Sequence, residues 1–333
     1  MKVCACCFND EEIREFINSE GKETAYCDCC GQNSNVIDLT ELSDFFTDLL
    51  GLFVKNDNGI SLINRIQKDW NIFSSDSCAD FILSAIINND KTIPRLCQER
   101  VSYLPEIEEW FSIWENLKKE VRENKRYFHD FENFGWDIYY IRKDYRIKKD
   151  STLFRARITP EGQKKLKAKE MGCPPREKAT AGRANPLGIP YLYLCDNEET
   201  TYYEVRAVYL DKVSVGEFVT LRDLEIVDFS RVINLFYAYS EGLQDLTDIV
   251  KHKFLLDEIN KDLSKPLRRF DTEIDYVPTQ LICEYCKLYG ADGVRFNSSL
   301  HEGGKNIVLF NGADAKCVKV FSREIESVEI TAR

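Results

Sequence analysis

The sequence predicts an α+β protein in which a cysteine-rich N-terminal knuckle and a helical domain precede a mixed β-core with helices. Three observations predict this class. Two Cys-x2-Cys pairs open the chain, apolar residues then recur at helical spacing, and short apolar strands alternate with helices in the second half. A chain of 333 residues is long enough for two domains. We expect a zinc knuckle over residues 1–37, a helical domain over 38–142 and a third region over 143–333.

Composition and charge exclude several functional classes. With 44% hydrophobic residues the chain can bury sizeable cores, so intrinsic disorder is not expected. The net charge of −11 argues against general nucleic-acid binding, which needs a basic surface. No segment resembles a signal peptide, and no apolar run reaches the roughly 18 residues that a membrane span needs. We therefore expect a cytoplasmic protein without membrane association.

The cysteine spacing predicts a metal site. Of the 13 cysteines, six lie within the first 30 residues, which in a reducing compartment favours metal binding over disulfides. The predicted ligands are the two Cys-x2-Cys pairs, Cys4 with Cys7 and Cys27 with Cys30. Four thiolates leave no position for water, so the expected Zn²⁺ is structural. Cys6 and Cys29 stay open as replacements for a neighbouring ligand.

Helical spacing dominates from residue 38 to about residue 140. The segment 39–50 repeats apolar residues at intervals of three and four, as on one buried helix face. Further helices are predicted at Gly59–Trp70, Ser77–Asn88 and Pro105–Phe128.

The second half alternates strands and helices around one central stretch, Gly182–Arg206. It opens with a Gly/Pro-rich loop that carries Arg183 and Asn185, and a strand at Tyr191–Cys195 follows. Asp196 or Asn197 can cap the next helix, which carries Glu204 about two turns in. Other predicted strands are Ser151–Ile158, Ala207–Leu210, Glu217–Phe229, Gly293–Phe296, Asn306–Phe310, Val318–Phe321 and Val328–Ile330. Other predicted helices are Leu235–Asp262 and Thr279–Tyr289, and the second of these carries Cys283 and Cys286 as core thiols.

Ordered blocks of sequence resemble the RES-domain family over roughly residues 150–320. The blocks are Phe154–Arg157, Gly182–Arg206, Tyr276–Gln280 and Ala291–Ser299. The resemblance implies a fold similar to ADP-ribosyltransferase toxins, with a split, twisted β-core around a cleft that binds NAD⁺. It also implies an NAD⁺-degrading toxin activity.

The resemblance implies a set of site residues. The catalytic residues are Glu204, Arg155 and Ser298. The residues expected to bind NAD⁺ are Arg155, Arg183, Asn185, Tyr193, Glu204, Thr279 and Ser298. The family hydroxyl is Ser298 or Thr279, with Ser299 beside the former. This chain has Ala184 where the family usually has a bulky aromatic residue after the loop arginine.

These residue types suit cleavage of the nicotinamide–ribose bond. Oxocarbenium charge develops on the sugar, and a carboxylate such as Glu204 stabilises that charge more in the transition state than in the ground state. Arg155 and Arg183 offer forked donors for a diphosphate. Tyr193 and Ser298 suit nicotinamide through stacking and hydrogen bonding.

Alternative functions remain open at this point. One is ADP-ribose transfer to a macromolecule. Another is a ribonuclease, because the helical region with its knuckle resembles HEPN-class domains that precede some RES domains, and Arg122 and His129 have the Arg–His spacing of that class. In a charged run such spacing arises easily by chance, and a solvated helix face explains it as well.

The expected partners are NAD⁺ and an antitoxin or regulatory protein, and self-association into a homo-oligomer is left open.

Overall fold

The computed structural model describes residues 1–89, 99–127, 143, 145–242, 245–265 and 273–328. The chain forms two compact units. The first unit contains Met1–Ser112 and Val232–Phe254, and the second contains Ile113–Arg231 and Leu255–Arg333. Among the described helices, none combines the length and apolar character needed to cross a membrane.

The protein contains both strands and helices. The strands are β1 (Lys2–Cys4), β2 (Glu23–Tyr26), β3 (Asn33–Asp38), β4 (Phe53–Ser61), β5 (Arg100–Tyr103), β6 (Tyr145–Ile147), β7 (Thr152–Ile158), β8 (Leu192–Cys195), β9 (Lys212–Thr220), β10 (Leu224–Asp228), β11 (Gly293–Asn297), β12 (Lys305–Leu309) and β13 (Ala315–Glu324). The α-helices are α1 (Glu11–Glu20), α2 (Ser43–Gly51), α3 (Leu62–Trp70), α4 (Asp76–Asn89), α5 (Pro105–Trp110), α6 (Ile113–Glu123), α7 (Ala168–Met171), α8 (Glu198–Glu204), α9 (Leu235–Ser240), α10 (Leu246–Ser264) and α11 (Val277–Leu288).

The first unit joins a small antiparallel sheet, in the order β1-β3-β2, to a group of helices and a two-stranded sheet of β4 and β5. Helix α1 begins after Asp10, whose carboxylate accepts a hydrogen bond from the backbone N–H of Ile13 at 3.0 Å. Phe8, Phe46 and Phe73 pack against one another with ring centroids 5.6–6.3 Å apart, and all three rings are buried. This aromatic group anchors the knuckle to the helices of its own unit.

The structure corrects several predicted elements. The helix predicted from Gly59 begins at Leu62 instead, because the preceding residues belong to β4 and Arg100 Nε donates to the Gly59 carbonyl at 2.7 Å. The helix predicted over 105–128 is interrupted at residues 111–112, between α5 and α6. No strand forms at Ala207–Leu210, where Leu210 has a φ of +67° that is incompatible with a strand.

One further predicted strand, Glu217–Phe229, is in fact two strands, β9 and β10. The turn between them is held by Arg222, whose guanidinium contacts the carboxylates of Asp292 at 2.6 Å and Asp314 at 2.9 Å. The two acids are 70 and 92 positions from Arg222 in the sequence, so the local sequence could not predict this turn.

The second unit is built on an eight-stranded mixed sheet in the order β13-β9-β7-β8-β12-β11-β10-β6. Its pairs are antiparallel except for β10 and β11, which are parallel. Strands β7 and β8 share only one register pair, Phe154 with Cys195, whereas β7 pairs with β9 along its whole length. The sheet therefore opens between β7 and β8.

Close packing in the centre of this sheet gives a stability prediction. A Cβ at Gly293 would lie 2.2 Å from the carbonyl oxygen of Val308 on the neighbouring strand, so β11 or β12 would have to move. We expect Gly293→Ala to destabilise the second unit by about 3 kcal/mol or more. Thermal unfolding checks this. Gly51→Ala is the control because no atom lies within 4 Å of its new Cβ, and equal melting of the two variants would contradict the packing argument.

Candidate functional site

A cavity of about 300 Å³ lies where the sheet opens between β7 and β8. Its walls come from both strands, from the loop that precedes β8, from the end of α8 and from the beginning of β12. Four of the predicted site residues line it, namely Arg155, Arg183, Tyr193 and Glu204. Residues separated by up to 49 positions in the sequence thus converge on one cleft.

Helix α8 places Glu204 at the mouth of the cavity. The helix begins after Asn197, the residue that caps it, whose side-chain oxygen accepts a hydrogen bond from the Thr200 N–H at 2.8 Å. Glu204 is its last residue and is exposed. Ser298 Oγ donates to Glu204 Oε1 at 2.7 Å, and Asn306 Nδ2 donates to the same oxygen at 2.8 Å. Both of these donors engage Oε1, so the carboxylate has a defined orientation.

The hydroxyl that touches Glu204 belongs to Ser298. This serine is only 8% exposed, and its backbone N–H donates to the Gly304 carbonyl at 2.8 Å. Its Oγ also accepts from the His301 N–H at 3.2 Å, which fixes the direction of the hydroxyl proton towards the carboxylate. The neighbouring Ser299 instead donates to the carbonyl of Ser264.

Arg155 is a half-buried cation on β7 with little competition for its guanidinium. Its Nη1 lies 3.5 Å from the Gly172 carbonyl, a carbonyl that Arg157 Nη2 contacts more closely at 3.0 Å. Burial, together with the positive charge of Arg157, lowers the pKa of Arg155 to about 10. The group is still charged at neutral pH, and an anion entering the cavity would meet it directly.

Arg183, on the loop before β8, is held by hydrogen bonds to residues of α10 and α11. Arg183 Nη1 donates to the Leu263 carbonyl at 2.8 Å, and Thr279 Oγ1 donates to the Arg183 carbonyl at 2.7 Å. Burial lowers the pKa of Arg183, against the opposing influence of Tyr276 and Glu204. Thr279 thus positions this loop, while Ser298 contacts the acid.

Asn185 and Tyr193 fasten the same loop to β8. The amide Nδ2 of Asn185 donates to three carbonyls of the loop, and its Oδ1 accepts from the Tyr193 hydroxyl at 2.7 Å. The Tyr193 oxygen in turn accepts from the Ala184 N–H at 3.1 Å. A Cβ at Gly182 would lie 2.7 Å from that hydroxyl, so only glycine permits this approach. Tyr193 lines the cavity, and its hydroxyl is engaged by Asn185 and Ala184.

Two residues of the site, Asn306 and Cys195, were not among the sequence-predicted candidates. They are register partners on β12 and β8, and Cys195 Sγ donates to Asn306 Oδ1 at 3.3 Å. Burial raises the pKa of the Cys195 thiol, so it keeps its proton and remains the donor. With its oxygen engaged in this way, Asn306 turns its amide nitrogen towards Glu204. Only strand register reveals this chain of contacts.

The predicted zinc ligands form a cluster in the first unit. The Sγ atoms of Cys4, Cys7, Cys27 and Cys30 lie within 4.8 Å of one another. Measured separations are 3.9 Å for Cys4–Cys7, 3.4 Å for Cys4–Cys30 and 3.5 Å for Cys7–Cys27. Four sulfurs bound to one tetrahedral zinc ion at about 2.3 Å are about 3.8 Å apart. These four thiols therefore fit the size and donor set of a zinc site, and Cys6 is not a member of the group.

The other described residues singled out in the sequence are not part of the cavity lining or of the four-cysteine cluster. Arg122 lies 3.7 Å from the carboxylate of Asp275, and His129 lies outside the described residues. Cys283 and Cys286 are completely buried in α11, as expected for core thiols. A second group of sulfurs, Cys7 with Cys29 and Cys78, adjoins the four-cysteine cluster.

The fold and the cavity define a mixed α and β protein with an acid and two arginines at the opening of its large sheet. Residues 152–330 match the model of the RES domain, so the chain belongs to the RES domain family. The resemblance inferred from the sequence blocks is thus confirmed for this region. One similar solved structure is a chain of the M. tuberculosis MbcT–MbcA toxin–antitoxin complex. It shows 15% sequence identity, covers 54% of this chain and 86% of that chain, and has a TM-score of 0.31. No curated protein matches the sequence.

Proposed function

We propose that this protein cleaves the nicotinamide–ribose bond of NAD⁺ and releases nicotinamide. The observation that carries the proposal is the carboxylate of Glu204, held by Ser298 and Asn306 at the mouth of a cavity that also contains Arg155 and Arg183. Membership of the RES domain family supports NAD⁺ as the substrate.

In the proposed reaction Glu204 acts on the sugar. As the bond from C1′ to the ring nitrogen lengthens, the bonding electron pair leaves with nicotinamide, which neutralises the cationic ring, and positive charge develops on the ribose. Since Ser298 and Asn306 both engage Oε1, Oε2 faces the sugar. A carboxylate fixed before the reaction stabilises the developing charge without reorganising. Water then forms the new bond at C1′ and loses its proton, which gives free ADP-ribose.

The other cavity residues bind rather than react. Arg155 and Arg183 grip the diphosphate, for which planar forked donors are better suited than ammonium groups. The ring of Tyr193 stacks on nicotinamide, and its hydroxyl does not bind substrate because it holds Asn185. Asn185 and Thr279 act through the loop that carries Arg183.

The same proposal includes a structural zinc ion in the first unit. Cys4, Cys7, Cys27 and Cys30 would hold it, and it would crosslink the turn after β1 to the turn between β2 and β3. Burial raises the pKa of the Cys7 thiol, and the adjacent thiol of Cys27 raises it further. A divalent cation would offset the cost of placing such thiolates together.

An enzyme that depletes NAD⁺ needs restraint in the cell that makes it. We therefore place the protein in the cytoplasm as a toxin-type effector, controlled by an antitoxin or another regulatory partner. Anti-phage defence is one setting in which such an activity is useful.

The test incubates the purified full-length chain with NAD⁺ and follows its products by chromatography and mass spectrometry. Free nicotinamide together with free ADP-ribose is the expected result. Nicotinamide release with a mass increment on a protein or nucleic acid would assign transfer in place of hydrolysis. Absence of nicotinamide release by a folded chain would contradict both reactions.

Asn306 gives a further prediction for this site. Asn306→Leu removes the donor to Glu204 Oε1 while keeping side-chain volume, and we expect kcat to fall about 10-fold with little change in KM, since a hydrogen bond to a charged group contributes about 1.5–3 kcal/mol. Asn306→Asp should lose more, because it places a second negative charge against Glu204. Steady-state kinetics on both variants checks whether Asn306→Asp loses more kcat than Asn306→Leu. A wild-type kcat in Asn306→Asp would contradict the prediction.

A further inference from the structure

Two cysteines outside the predicted zinc ligands lie against that cluster. The Sγ atoms of Cys7, Cys29 and Cys78 are within 4.8 Å of one another, as are those of the four-cysteine group, and the two groups share Cys7 alone. The six sulfurs do not form a single group within 4.8 Å, and a tetrahedral ion takes only four ligands, so one ion cannot bind them all. The six thiols thus offer ligands for more than one metal ion.

Backbone contacts bring Cys78 to this place. The segment before α4 is attached to the residues after Cys7 by a β-bridge between Phe8 and Phe73 and by a hydrogen bond from the Ser74 N–H to the Cys7 carbonyl at 3.0 Å. Helix α4 begins directly afterwards, and the Cys78 N–H donates to Ser75 Oγ at 3.2 Å in its first turn. Cys78, far from the knuckle in sequence, is therefore fixed beside Cys7 by the fold.

Cys29 is the third member of the group. It lies in the turn between β2 and β3, between the two ligands Cys27 and Cys30, yet its sulfur groups with Cys78 and not with Cys4. The Cys-x2-Cys turn thus directs its outer two thiols to one site and this middle thiol to another. Cys29 and Cys78 are both half-buried.

We propose that Cys7, Cys29 and Cys78 form a second metal site, in which Cys7 bridges two thiophilic divalent cations. Shifts of about 1 Å or less bring three sulfurs within 4.8 Å to the separation of about 3.8 Å that a tetrahedral ion requires. The thiols of Cys29 and Cys78 lose their protons to solvent on binding. Water fills the fourth position, so this second ion is more exposed and more weakly held than the four-thiolate ion. The proposal does not depend on NAD⁺ cleavage.

Metal stoichiometry tests the proposal on the full-length chain. The protein is purified under reducing conditions with zinc, dialysed, and analysed for zinc by mass spectrometry. We expect two zinc ions per wild-type chain and one per Cys78→Ser chain. Cys6→Ser is the matched control, because this exposed thiol belongs to neither group and the variant should keep two ions. One ion in the wild type overturns the second site and leaves the four-cysteine site standing.

A titration of the wild type makes the test independent of any variant. Co²⁺ added to the reduced, metal-free chain should develop thiolate-to-metal absorption with a break at two equivalents, and a chelator should remove the second equivalent first. A break at one equivalent, with no further thiolate absorption beyond it, would overturn the proposal. Circular dichroism of Cys78→Ser establishes that its loss of metal is not a loss of fold.

Discussion

Glu204→Gln should slow nicotinamide release from NAD⁺ by about 10²–10³-fold, the size of effect seen when one preorganised charge-stabilising group is removed. Glutamine keeps the shape of the side chain and an oxygen that still accepts from Ser298 and Asn306. Only the negative charge is lost. Because that charge matters most when the ribose becomes cationic, kcat should fall while KM changes little. Initial-rate measurements of nicotinamide release check the prediction.

The control for this prediction lies on the same helix. Glu199 is in the first turn of α8 with its side chain 66% exposed, and it is outside the lining of the cavity. Glu199→Gln therefore makes the same chemical change outside the cavity lining, where it loses only a contact with the His301 ring at 3.8 Å, and its activity should remain near that of the wild type. Equal activities of Glu204→Gln and wild type would leave Glu204 as an ordinary surface acid and remove the basis of the proposed mechanism.

Local patterns were sufficient to predict the main elements of the site. Strand alternation placed Arg155 on a strand that forms as β7. A cap at Asp196 or Asn197 predicted the helix that carries Glu204, and the structure has Asn197 as the cap and Glu204 as the last residue. The choice of Ser298 agrees with its contact to Glu204. The strand and the helix follow from short-range periodicity and capping, which a single sequence displays directly, whereas the choice of Ser298 came from the resemblance to the RES-domain family. The catalytic and binding roles themselves stay predictions.

Long-range pairing was beyond the reach of the sequence. Asn306 and Cys195 are 111 positions apart and meet only because β12 and β8 adopt one register. The pairing of β4 with β5 was missed for the same reason, and Gly59 was assigned to a helix. The hydrogen-bond partners of individual side chains could not be predicted either. Nothing in the local sequence shows that the Tyr193 hydroxyl donates to Asn185. The domain boundaries at residues 37 and 142 stay predictions.

The second large effect concerns the cysteine cluster of the first unit. Cys27→Ser should abolish metal binding at the four-cysteine site and lower the stability of the knuckle by several kcal/mol, because structural zinc sites contribute about 10–16 kcal/mol of apparent binding free energy. The serine has a similar size but is a poor zinc ligand, so packing loss is small. The Cys27 side chain is buried beside Cys7. Its backbone N–H donates to the Gln32 carbonyl at 2.8 Å and its carbonyl accepts from the Gly31 N–H at 2.9 Å, so the turn forms without the thiol.

Differential scanning calorimetry with and without a chelator measures this effect. Wild-type protein should show a transition that moves to lower temperature when the chelator removes zinc, whereas Cys27→Ser should melt at the lower temperature in both conditions. Cys6→Ser, which changes a thiol outside both sulfur groups, should retain the wild-type response. If the chelator leaves wild-type melting unchanged, hydrophobic contacts such as those among Phe8, Phe46 and Phe73 hold the knuckle without metal, and the four thiols are ordinary packed side chains.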